Sequence, residues 1–254
     1  MSASSQPAFP QTALQWLLTP PDGAIPAAPR LLAFGRSAAP LVGALDESVR
    51  VVACDTSRAG VRTLLNRFRR ALPVVAQAAH LPFAPKSFDV VAVHQSLHAL
   101  PEDSLASIAR VLTPTGHLAV SYIVRDDSVP WVRRLGALLR DVDPEAMAGA
   151  YGTESVERLS HSPFFTDVVE RRHRLWVPIS RVNLLDMVAR RFPDLESDRL
   201  GQLMASVGNL YESSARVPEP LLLPYQVSSW KAVVNHAAVS STLADADPGL
   251  PIRL

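Results

Sequence analysis

Between Leu31 and Val124 the chain repeats one alternation, a short apolar or β-branched run followed by a stretch with helical spacing. The runs are LLAF (31–34), VRVVAC (49–54), PVVAQ (73–77), FDVVAVHQ (88–95) and GHLAVSYIV (116–124). Between them, Ala39–Leu45, Arg58–Leu72 and Asp103–Leu112 read as helices. Val61, Leu64, Leu65 and Phe68 recur at helical spacing in the second, and Leu105, Ile108, Ala109 and Leu112 in the third. Strands apolar on both faces, separated by amphipathic helices, specify a parallel sheet covered on both sides. Ligands of such sheets bind at the carboxyl ends of the strands, where the strand order reverses. The alternation therefore predicts both a fold class and a place for a site.

Beyond Arg125 the pattern changes. Val129–Asp141 reads as a helix, and residues 163–178 carry a strand-like alternation around Val168, Val169 and Leu175. Ile179–Arg191 and Ser197–Tyr211 read as two helices, and residues 221–234 as a last strand. The expected whole is a doubly wound, mostly parallel, seven-stranded α/β sheet spanning 31–240, with a small helical cap at about 179–213. Residues 1–30 are expected to dock on this domain and 241–254 to form a loose tail.

Composition narrows the function. A formal net charge of +1, with 19% charged residues, calls for neither nucleic acid nor an anionic membrane as partner. The basic residues are almost all arginine, Lys86 and Lys231 being the only lysines. A single cysteine, Cys54, excludes an internal disulfide and points to a reducing compartment. Its neighbours Val51, Val52 and Ala53 place it on a buried strand, as a core residue and not a nucleophile. No apolar stretch approaches the roughly 18 residues of a membrane span, and MSASSQPAF lacks the pattern of a secretory signal, so a cytoplasmic protein is expected.

The first strand-to-helix turn reads Phe34-Gly35-Arg36-Ser37-Ala38-Ala39. A nucleotide-like cofactor needs close backbone approach and a positive φ there, and glycine supplies both. About 20 residues on, the second strand ends in Asp55, a carboxylate able to accept hydrogen bonds from ribose hydroxyls or to cap the following helix. His94 and His98 are four apart, but without a neighbouring cysteine or a third ligand no metal site is read from them.

Several segments, in order, resemble the class I S-adenosylmethionine (SAM)-dependent methyltransferases. They are Ala78–Phe83 (AxxLPF), KSFDVV (86–91), SLH (96–98) and ARVLTPTGHLAV (109–120). RDDSVPW (125–131), LPYQVSSWKA (223–232) and Ala13-Leu14-Gln15-Trp16-Leu17 are similar to a bacterial small-molecule subfamily. The resemblance implies a Rossmann-like fold and a SAM site formed by Gly35, Ser37, Asp55, Gln77, Ala78 and Gln95. It also implies a reaction centre of His98, Arg125 and Asp126, although His98 equally suits a helix-start hydrogen bond and Arg125–Asp126 a structural ion pair. The implied partner is a small or lipid-like substrate, with a protein partner or homo-oligomer as a further option. The stripe Leu184, Leu185, Met187, Val188 and Phe192 could line an apolar pocket or pack as core.

The departures bear on the cofactor. Where the family carries an acid and then Gly-x-Gly-x-Gly, this chain has Ala33, Gly35, Ser37 and Ala39. Ala33 removes the carboxylate that anchors the amino end of SAM, and Ser37 and Ala39 are expected to place Cβ atoms where the loop must wrap closely around the cofactor. Gln77, where an aspartate commonly meets adenine, keeps an amide oxygen for that bond. Two functions follow: a SAM-dependent methyltransferase, or a non-catalytic relative that has lost SAM binding and serves as scaffold, partner subunit or binder of another ligand.

Overall fold

The computed structural model describes residues 7–144 apart from 22, 24, 25 and 27, then 151–215 and 220–243. The first four strands are β1 (Arg30–Phe34), β2 (Arg50–Asp55), β3 (Leu72–Val75) and β4 (Phe88–His94), followed by β5 (Leu112–Arg125). β6 (Phe165–Ile179) and β7 (Leu221–Val234) complete a seven-stranded sheet in the order β3-β2-β1-β4-β5-β7-β6. β1, β2 and β4 are buried on both faces, the burial that their unbroken apolar composition demands. All pairings among β1 to β5 are parallel, with Ala33 in register with Ala53 on one side and Ala92 on the other. The chain leaves β1 outward to β2 and β3, then returns to β4 on the opposite side. The strand order thus reverses between β1 and β4, beside Gly35.

Helices α1 (Gln11–Leu18), α2 (Ala39–Val42), α3 (Arg58–Leu65) and α4 (Ser104–Val111) belong to this half of the chain. α1 buries Ala13, Leu14 and Leu17, and it is tied down where His117 Nε2 lies 2.7 Å from the Leu17 carbonyl. Leu32, Phe34, Val52, Cys54, Val91 and Val93 form one wall of the core, against which Ile108 of α4 and Phe83 pack.

Two boundaries differ from the sequence expectation, both for local reasons. α3 ends at Leu65, not at Leu72; Leu72 pairs with Val52 in the sheet, and Pro73 excludes it from a helix. Pro73 lacks an N–H, and β3 accordingly lies at the sheet edge, with Leu72 and Val75 more than half exposed. β5 begins at Leu112 and carries an irregularity in its pairing with β4, so Thr113–Gly116 belong to the strand and not to a connecting loop.

The remaining helices are α5 (Pro130–Arg140), α6 (Tyr151–Ser160), α7 (Arg181–Arg191), α8 (Ser197–Ser214) and α9 (His236–Leu243). The sequence reading did not identify α6 or α9, and of the tail expected at 241–254, residues 244–254 lie outside the described residues. The chain divides into two compact units, a larger one holding Ala8–Tyr122, Ala150–His173 and Ser228–Leu254 and a smaller one holding Ile123–Gly149 and Arg174–Val227. In the smaller unit α8 packs against both α5 and α7, and Tyr211 Oη donates to the Ile179 carbonyl at 3.1 Å. Among the described residues, no helix is long and apolar enough to cross a membrane.

Candidate functional site

Two backbone turns shape the carboxyl ends of the strands that flank the reversal. After β1 the chain turns on Gly35 (φ 83°), whose N–H donates to the Cys54 carbonyl at 2.8 Å. A Cβ at Gly35 would meet nothing closer than the Ser37 and Ser96 hydroxyls at 3.5 Å, so conformation, not space, requires glycine. After β4 the chain turns on Gln95 (φ 57°), a non-glycine residue in the left-handed region, held by its N–H donating to the Ser121 carbonyl at 2.8 Å. Such conformations cost energy and concentrate at binding sites.

Beyond Gly35 the backbone turns helical at once. Residues 36–38 form a single 3₁₀ turn that runs into α2, and Ala38 and Ala39 are both right-handed. The loop therefore needs one glycine, and the Cβ atoms of Ser37 and Ala39 fit its own geometry.

Asp55 ends β2 and is buried. Its Oδ2 accepts from the Arg36 N–H at 2.8 Å, and its Oδ1 accepts from the Ser57 N–H and hydroxyl, both at 2.9 Å. Ser57 itself caps α3, its hydroxyl oxygen accepting from the Gly60 N–H at 3.0 Å. Asp55 therefore supports the cap without being it. A carboxylate offers about four lone-pair sites, so these bonds leave capacity for about one further donor. At the end of β3, Gln77 is exposed and Ala78 buried. Ribose and adenine contacts thus have residues of fitting chemistry, although Asp55 has less capacity than its sequence position suggests.

Toward β5 the site holds two histidines in opposite environments. His98 is exposed on the turn Leu97–Ala99. Its N–H donates to the Tyr122 hydroxyl at 3.2 Å, and its Nδ1 lies 3.2 Å from the same oxygen. Arg158 clamps this turn, donating to the Leu97 and Leu100 carbonyls at 2.8 and 3.0 Å. His94 is fully buried, with Nδ1 2.9 Å from the Ser121 hydroxyl and Nε2 without a partner among the described residues. Burial pulls its pKa down to about 4, against the opposing pull of its bond to Ser121, so the ring is neutral at pH 7. Ser96 joins the group by donating to the His94 carbonyl at 3.1 Å. Tyr122 and Arg158 carried no sequence signal, because only the tertiary packing of β5 and α6 brings them to the turn that holds His98.

Arg125 and Asp126 lie in the smaller unit. Asp126 is buried and paired with Arg174 at 3.2 Å, and its Oδ1 accepts from the Ser128 N–H and hydroxyl. Arg125 reaches the Met187 sulfur at 3.3 Å and hydrogen-bonds the Tyr225 hydroxyl. In the apolar stripe, Leu184, Val188 and Phe192 are core residues, while Leu185 and Met187 are half-buried. Among the described residues, no three His, Cys, Asp or Glu side chains gather to hold a metal. A cavity of about 320 Å³, lined by Arg30, Arg50, Leu72 and Phe88 among others, opens at the amino ends of the strands, away from Gly35 and Asp55.

Comparison with known proteins places this geometry. Residues 32–120 match the family model described as a methyltransferase domain. An uncharacterised methyltransferase of Mycobacterium tuberculosis is 31% identical over 238 residues, covering 87% of each chain. An uncharacterised methyltransferase of Schizosaccharomyces pombe is 29% identical over 161 residues, 59% of this chain and 64% of that one. Two solved structures share the fold. A proposed methyltransferase from an antibiotic biosynthesis pathway of Anabaena variabilis superposes with a TM-score of 0.60 at 13% identity, covering 89% of this chain and 99% of that one. A proposed type II methyltransferase of Anaeromyxobacter dehalogenans does so with a TM-score of 0.58 at 22% identity, covering 90% and 97%.

Proposed function

This chain belongs to the methyltransferase-domain family, and we propose that it is a SAM-dependent methyltransferase acting on a small or lipid-like molecule. The observation that carries the proposal is the pair of left-handed turns at Gly35 and Gln95, flanking the strand reversal beside the buried carboxylate of Asp55. Gln77 and Ala78 would hold the adenine, Asp55 a ribose hydroxyl, and Gly35, Ser37 and Gln95 the remainder of the cofactor. When bound, SAM supplies an electrophilic methyl group. Methyl transfer then asks the protein mainly for alignment, and for a base when the nucleophile carries a proton. His98 is the group for that base, because it is exposed while its turn is fastened by Tyr122 and Arg158. The internal bonds of Asp126 suit it to holding the start of the smaller unit, with Arg125 bonded to Tyr225 beside it.

The missing acid at Ala33 weakens binding. A lost charge-assisted hydrogen bond costs about 1.5–3 kcal/mol, roughly ten- to hundredfold in affinity. Calorimetric titration with SAM and S-adenosylhomocysteine tests the proposal, and no binding of either up to millimolar concentration sinks it. One observation favours the non-catalytic alternative: Ala33 is fully buried while Asp55 spends most of its capacity within the protein. That alternative predicts that Ala33→Asp binds SAM where the native protein does not.

A further inference from the structure

We infer that His94 is the polar contact for the amino-acid end of the cofactor, its Nε2 taking over from the acid missing at Ala33. The inference rests on the cofactor assignment proposed above. Side chains two apart on a strand share a face of the sheet. Ala92 is in register with Ala33, so His94, two residues further along β4, stands on Ala33's face at the neighbouring strand end. If Gln77 beyond β3 takes adenine and Asp55 at β2 takes ribose, the strand order carries the rest of the cofactor toward β1 and β4.

The Nε2 atom needs such a partner. It is buried and unpaired among the described residues, whereas buried polar atoms in native proteins are nearly always paired. The nearby Phe9 ring, edge-on with centroids 5.4 Å apart, cannot pair it. A neutral imidazole offers one donor and one acceptor, and the Ser121 hydroxyl engages Nδ1. Nε2 is then an acceptor for an ammonium or a donor to a carboxylate, and the amino-acid end of SAM carries both. The ring is fully buried beside Phe9, so a ligand reaches Nε2 only after neighbouring side chains shift.

Titration of the full chain with S-adenosylhomocysteine and with methylthioadenosine, which keeps adenine and ribose but lacks the amino-acid end, tests the assignment. His94→Asn keeps a polar atom near Nδ1 for Ser121 and removes Nε2, and His94→Gln reaches the Nε2 position. The Asn variant is expected to bind S-adenosylhomocysteine at least tenfold more weakly, with methylthioadenosine affinity within twofold of the native protein. The Gln variant is expected to recover most of the loss. Equal weakening of both ligands would make His94 a packing residue, and unchanged S-adenosylhomocysteine affinity would mean no contact; either result overturns the inference. If the native protein binds neither ligand, the cofactor assignment itself fails, and this inference with it.

Discussion

Gly60→Ala is expected to destabilise the protein although alanine is the better helix former. Gly60 lies in the first turn of α3, where exchange to alanine is worth about 1 kcal/mol in helix propensity. A Cβ built there, however, falls 2.1 Å from both Cγ and Oδ1 of Asp55 and 2.4 Å from Oδ2. Ordinary contact begins near 3.5 Å, so the carboxylate must retreat by about 1.4 Å. Its hydrogen bonds to Arg36 and Ser57, now 2.8–2.9 Å, cannot stretch that far and survive. Bonds to a charged acceptor are worth about 1.5–3 kcal/mol each. Losing two, less the propensity gain, leaves a destabilisation of about 2–5 kcal/mol. For a chain of this size that lowers the melting midpoint by roughly 4–20 °C, readable by circular dichroism. Gly201→Ala in α8, where a Cβ meets nothing within 4 Å, is the control and is expected to stabilise slightly. A Gly60→Ala protein as stable as the native one would refute the claim that Asp55 is locked against Gly60.

Two further outcomes follow from buried groups. The pKa of His94 is lowered from 6.5 to about 4, so below pH 6.5 the unfolded chain binds a proton that the native ring refuses. Its contribution to stability therefore falls from about pH 6.5 down to about pH 4, by up to ~3 kcal/mol, and urea midpoints at pH 7 and pH 5 should converge in His94→Gln; an unchanged gap would exclude His94 as the source. The Cys54 thiol, pushed up to about 12 by burial, is expected to resist a thiol-reactive dye at pH 8 until the protein is denatured, and fast native labelling would contradict its packing.

The sequence by itself determined the sheet and the address of the site. Strands such as LLAF and FDVVAVHQ are apolar on both faces, a local property that admits few arrangements once amphipathic helices separate them. Gly35 and Asp55 follow from the same order, since each stands where a strand ends. Periodicity misplaces the end of α3, where Leu72 pairs in the sheet instead, and the start of β5, which carries a pairing irregularity. Only the tertiary structure decided what the site residues have left to offer. Whether Ser37 and Ala39 are tolerated depends on the backbone dihedrals of the loop, and those follow from its ties to β2 and Asp55. The bond from Arg36 to Asp55, the bond between His94 and Ser121 and the fastening of His98 by Tyr122 and Arg158 join residues 19 to 61 positions apart. Hydrogen bonds across such separations are set by strand order and register, which local patterning does not encode.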